Sequence, residues 1–190
     1  MEPKVKQAIS NAKSSVSKAK SKDVEAKPAD SKSNNSKLAI IVRLKGSGGI
    51  KKTRLLFLAQ LNLTRRYSAC LADLSVAKTA AKKVGDYIAW GELDEKTLSQ
   101  LIEKRLKTTG QPKPLDAKFY SKFSVANSTE LANLLLSGKV TPIQLKKNGA
   151  RPYFALHPPV KGLTGIKSHY PKGSMGNWSN KINSLVSRMI

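Results

Sequence analysis

From Leu38 to Leu44 the chain reads LAIIVRL, an apolar and largely β-branched run that stops at the turn-forming GSGG. This pattern predicts a strand closed by a tight loop. The following stretch, IKKTRLLFLAQLNL, spaces Ile50, Leu55, Leu58, Leu61 and Leu63 close to helical period with charged flanks, which predicts a helix. YSACLADL (67–74) reads as a second strand, VAKTAAKKVGD (76–86) as a second helix and YIAWGE (87–92) as a third strand. The order βαβαβ predicts a small sheet with its helices on one face. Beyond it, DEKTLSQLIEKRL (94–106) has acids in its first turn and Lys104 and Arg105 in its last, as a helix dipole favours. TGQPKPLD interrupts it. STELANLLLSGKV (128–140) predicts a short helix capped by Ser128 and stopped at Gly138. PYFALHPP (152–159) allows a brief strand closed by two prolines, and NKINSLVSRMI (180–190) returns to helical period through Ile182, Leu185, Val186 and Met189.

No such pattern exists in the first 37 residues, which are rich in Lys, Ser and Ala, have no aromatic side chain, and carry only Met1, Val5, Ile9, Val16 and Val24 as larger apolar residues. Nine lysines against four acids leave this segment at +5, and it has too little apolar surface to offset chain entropy. It is expected to be a basic tail, disordered off its partner, ahead of a core at 38–93 and an extension at 94–190 packed on that core. The apolar fraction of 39% agrees with a partly unpacked chain, since globular domains usually reach ~45–50%.

Charge then narrows the partner. A net charge of +23 opposes compaction unless a polyanion neutralises it, and nucleic acid is the first candidate. A membrane partner is not expected: there is no lipidation motif, no secretory signal and no apolar run near the ~18 residues of a spanning helix. The lone Cys70 can form neither an internal disulfide nor a cysteine metal site, which points to a reducing intracellular compartment.

One motif suggests another class of protein. GSGGIKKT lies between a strand and a helix and approaches the phosphate-binding pattern G-x-x-x-x-G-K-[ST], with Gly46 first and Lys52 and Thr53 at its end. Lys51 stands where the second glycine belongs, which undermines the nest of backbone amides. Asp73 would have to serve the magnesium. The alternative function is therefore a nucleotide-dependent enzyme using 46–53, set against a plain glycine turn. His157 and His169 are the only histidines, with no cysteine or acid near them, so no metal or other cofactor is expected.

From Leu131 to Ile190 nine Lys and Arg face no carboxylate at all, whereas ordinary soluble surfaces mix both signs. Within this segment, ALHPPVKGLTGIKSHYPKGSMGNW (155–178) combines prolines, glycines, lysines and aromatics. Lysines there can release condensed counterions from phosphates, while His169, Tyr170 and Trp178 can stack on unpaired bases, which favours folded RNA over a regular DNA duplex.

The succession IVRLKGSGGIKKTRLLFLAQLNL, DYIAWGELDEKTLSQLIEKR, FALHPPVKGLTGIK and GNWSNKINSLVSRM resembles the archaeal and eukaryotic form of the uL-thirty family of large-subunit ribosomal proteins, over 38–190. The Trp90–Gly91 pair and LHPP…KG…GIK carry most of that likeness. The resemblance implies an α+β, ferredoxin-like core, an extension lacking in short bacterial members, and a structural role without catalysis or a small-molecule substrate. It further implies a place in the cytoplasmic large subunit against ribosomal RNA and neighbouring ribosomal proteins. RNA contacts are expected at Arg43 and Lys45, at Lys51, Lys52 and Arg54, at Arg65 and Arg66, and along His157, Lys161, Lys167, His169, Lys172 and Trp178.

Overall fold

The computed structural model describes residues 37–109, 119, 120, 122, 123, 125 and 127–190. The expected tail, apart from Lys37, and most of TGQPKPLD lie outside these residues. The described elements are β1 (Leu38–Arg43), α1 (Lys52–Gln60), β2 (Ser68–Asp73), α2 (Leu74–Val84), β3 (Ile88–Glu92), α3 (Glu95–Arg105), α4 (Ser128–Leu136), α5 (Pro142–Lys147), β4 (Tyr153–Ala155), β5 (Gly176–Asn177) and α6 (Ile182–Ser187). A short 3₁₀ turn, Ser179–Lys181, leads into α6.

The strands form one sheet in the order β4-β2-β1-β3-β5. β1 lies at its centre and runs antiparallel to both neighbours, with Leu38 opposite Asp73 and Arg43 opposite Ile88. β2 and β3 are therefore parallel to each other with β1 inserted between them, the split βαβ arrangement of ferredoxin-like folds. β4 adds antiparallel to β2, and β5 adds parallel to β3.

Every residue of β1 is buried, because helices cover the sheet on both faces and a strand enclosed on both sides reads as a continuous apolar run. Ala39, Ile41, Cys70, Ala72, Ile88 and Trp90 point to one face, where they meet Leu58, Ala77, Ala80 and Val84 from α1 and α2. Leu38, Ile40, Val42, Ala69, Leu71 and Ala89 point to the other, packed on Leu98, Leu101 and Ile102 of α3, Leu131 and Leu135 of α4, and Leu185 and Val186 of α6. The two crossover helices thus share one face as the pattern predicts, and the later helices cover the opposite one.

Several boundaries differ from the expected ones for local reasons. α1 is shorter than 50–63: Gly49 turns the chain with φ +71, and Asn62 at φ +58 stops the helix in the left-handed conformation that asparagine tolerates. Leu55, expected on the buried face, is 41% exposed, and Leu56 is 65% exposed. Asn127 rather than Ser128 is the cap residue of α4, while Gly138, at φ +75, follows that helix as expected. α5 was not expected; Thr141 and Gln144 form a reciprocal capping box around Pro142 at the first helical position.

One glycine fixes how the C-terminal helix docks. A Cβ on Gly91 would overlap the Ser179 carbonyl oxygen and come within 2.9 Å of the Ile182 side chain, so only glycine lets β3 approach the start of α6. Next to it the buried Asn183 amide donates to the Glu92 and Asn180 carbonyls and accepts from the Asp94 N–H at 3.1 Å.

Candidate nucleic-acid interface

The expected contact residues do not share one environment. Arg43 ends β1 with its side chain turned inward and 1% exposed. Its Nη1 donates to the Leu63 carbonyl at 2.8 Å and the Thr64 carbonyl at 2.7 Å, and its Nε donates to the Lys45 carbonyl at 3.0 Å. Burial lowers its pKa from the ordinary arginine value. The guanidinium is thus engaged in satisfying the carbonyls between α1 and β2, a structural anchor instead of the expected phosphate contact. The chain around it explains the choice: carbonyls in the loop between α1 and β2 have no ladder partner, and a buried carbonyl needs a donor.

Beyond Arg43 the glycine loop is open to solvent and Lys51 and Lys52 are exposed at the start of α1. Lys45 lies over the Tyr87 ring, 5.1 Å from its centroid. Arg54 reaches Asp86 at 3.7 Å, and His169 Nε2 reaches the other oxygen of the same carboxylate at 3.6 Å. Asp86, which sequence reasoning did not single out, therefore joins the start of α1 to the basic loop.

The nucleotide-enzyme alternative fails on topology. Because β1 and β2 are antiparallel, Asp73 pairs with Leu38, at the opposite end of β1 from the glycine loop. Five residues at ~3.4 Å each put it roughly 17 Å from where a magnesium ion on that loop would sit. Among the described residues there is also no group of three metal-ligating side chains, and no helix is long and apolar enough to cross a membrane.

The basic loop is held by its own backbone. Ser174 N–H donates to the Gly165 carbonyl, Tyr170 N–H to Met175 and Gly173 N–H to His169, all within 2.9 Å. His157, Lys161, Lys167, His169 and Lys172 remain exposed along it. Trp178 is half-buried: its indole N–H donates to the Ser174 carbonyl at 3.0 Å and its ring lies 4.6 Å from that of Tyr170. It braces the base of the loop through these two contacts. Lys181 sits 5.7 Å from the centre of the Tyr170 ring, and a hydrogen bond with the Tyr170 side chain raises the pKa of its ammonium.

Arg65 and Arg66 lie elsewhere, in a groove of about 530 Å³ beside β2 and β4. Arg105 at the end of α3, Lys107 and Arg151 complete a set of five cations, with Tyr67 and Tyr153 beside them and no carboxylate among the described residues lining it. Arg66 Cζ stands 4.7 Å over the Tyr67 ring while its Nε donates to the Leu44 carbonyl at 3.0 Å. Arg105 donates to a main-chain oxygen of Ile190.

Comparison with known proteins then decides the family. No family model matches the chain. The protein named "Large ribosomal subunit protein uL30" of Nanoarchaeum equitans is 36% identical over 157 residues, 80% of this chain and 99% of its own length. Its namesake in Ignicoccus hospitalis is 34% identical over 164 residues, 82% of this chain and 99% of its own. That of Archaeoglobus fulgidus is 32% identical over 150 residues, covering 78% and 97%. The chain belongs to the uL30 family.

As a uL30 protein it is structural and non-catalytic. Within this uL30 chain, the cations that sequence reasoning missed are Arg105, Lys107 and Arg151. Arg105 reads from sequence as a helix-dipole partner, and Arg151 as one more charge in an acid-free segment. Only the pairing of β4 with β2, and of Thr108 with Ala150, brings them beside Arg65 and Arg66.

Proposed function

We propose that this uL30 chain is a structural constituent of the large ribosomal subunit that binds and stabilises ribosomal RNA, lowering the repulsion between RNA helices by setting fixed cations against their phosphates. The observation that carries this reading is the acid-free stretch from Leu131 to Ile190, in which Lys139, Lys146, Lys147, Lys161, Lys167, Lys172 and Lys181 are all exposed. A folded chain that keeps so many like charges at its surface without acids between them is arranged for a polyanion. Arg54, which shares Asp86 with His169 of the basic loop, extends the surface together with the exposed Lys51 and Lys52, and the segment 1–37 carries a further +5 of charge. Neighbouring ribosomal proteins are assigned to the side of α1 and α2 where Leu55, Leu56 and Val76 are exposed.

Co-sedimentation with large subunits through a salt series tests the proposal. The wild type should travel with the large subunit at low salt and be released as salt rises. Lys161→Glu with Lys167→Glu should be released earlier, with the slope of log affinity on log salt smaller by about two. Release of both proteins at the same salt would count against the loop, and a wild type that stays at the top of the gradient would overturn the reading.

A further inference from the structure

We infer that the groove beside β2 and β4 receives a single unpaired RNA nucleotide, its phosphate held by the arginines and its base laid against a guanidinium or tyrosine face. The inference rests on the RNA-binding reading above and assigns one part of the chain to one kind of RNA feature.

The groove's shape comes first. About 530 Å³ of concave space lies within the ~300–1,000 Å³ of pockets that enclose a small molecule. A regular A-form duplex presents its phosphates on a convex surface and can touch only the rim of such a space, whereas an extruded nucleotide can enter it.

The arginines are also set in place before any ligand arrives. Arg66 is fixed from below by the Tyr67 ring at 4.7 Å and from the side by the Leu44 carbonyl. Arg151 stands over Tyr153, 5.8 Å from the ring centre. A guanidinium seated on an aromatic ring is oriented before binding and loses less freedom when it meets a phosphate. The ring under Arg66 is itself locked. Tyr67 has φ +62, an uncommon conformation for a bulky residue, held because its N–H donates to the Arg43 carbonyl at 2.8 Å while its carbonyl accepts from the Leu156 N–H at 2.9 Å. Arg43, buried and bonded to the Leu63 and Thr64 carbonyls, fixes the segment leading to Arg65. Arg65 and Lys107 are exposed where the preceding and following phosphates would run.

The test separates arrangement from charge. Full-length wild type and the variant Arg66→Lys with Arg151→Lys, identical in net charge, are titrated with a short mixed-sequence single-stranded oligoribonucleotide and with the duplex it forms with its complement. The wild type should prefer the single strand, and the variant should lose about tenfold in affinity for it, the size of one stacked base, while binding the duplex almost unchanged. Tyr153→Leu, which also keeps every charge, should lose single-strand affinity in the same direction, with cooperative melting confirming that each variant is folded. Equal single-strand binding by wild type and variants, or a wild-type preference for duplex, overturns the assignment while leaving the basic-surface reading standing. Binding of neither RNA by the wild type removes both.

Discussion

Cys70 shows how a single position is governed by the sheet. Its thiol lies in the core beneath α1 and α2, and burial pushes its pKa from the ordinary 9.0 up to about 12. Below about pH 9 the thiol is protonated in both folded and unfolded chains and stability is unaffected. As pH rises toward 12 the unfolded chain releases the proton and the native chain keeps it, so the native state is progressively disfavoured. Thermal melting of the wild type should therefore fall more steeply between about pH 9 and about pH 11 than that of Cys70→Ala; parallel curves would show that the thiol does not feel the core. Arg43 is the opposite lesson at the same scale. A basic residue closing an apolar strand looks like a surface cation in sequence, because the carbonyls that claim it belong to Leu63 and Thr64, some twenty residues away.

Between elements, the tightest constraint is the approach of α6 to β3 across Gly91. Gly91→Ala must push the Ser179 carbonyl and the Ile182 side chain outward and disturb the Asn183 bridge beside them. The expected cost is about 3 kcal/mol in urea denaturation, at the upper end for overpacked cores. A loss below about 0.5 kcal/mol, the range of an ordinary surface change, would mean that α6 is free to shift. The elements from β1 through α3 are legible in sequence to within about two residues, apart from the end of α1, which stops three residues early at Gln60, because apolar period and turn residues agree there. β5 is not, since two residues carry no period and their place is set by the parallel pairing of Ala89 with Gly176. α5 has a readable start in TPIQ, but six residues are too few to show an apolar face. The exposed Leu55 and Leu56 show the limit of periodicity: it marks which positions can share a face and leaves open whether another part of the chain covers them.

Across the whole molecule, the candidate interface was only partly visible in sequence. Linear charge counting finds the acid-free last third and the lysines after the glycine loop. It cannot find the groove, because Arg65, Arg105 and Arg151 come from three separate stretches that only the sheet assembles. The same sheet has a consequence for how the protein is made. Its middle is built from early sequence, yet β4 and β5, which close its two flanks, are translated last. A nascent chain that has reached only Ala150 carries β2 and β3 as open edges, able to pair with other chains. Stalled chains of that length should be cut readily by protease and become resistant only when the remaining forty residues have emerged. Resistance already at Ala150 would show that the first three strands fold without their flanks. Biosynthesis of this protein thus ends with an interval in which aggregation competes with completion, and a waiting RNA or chaperone would have the most to protect.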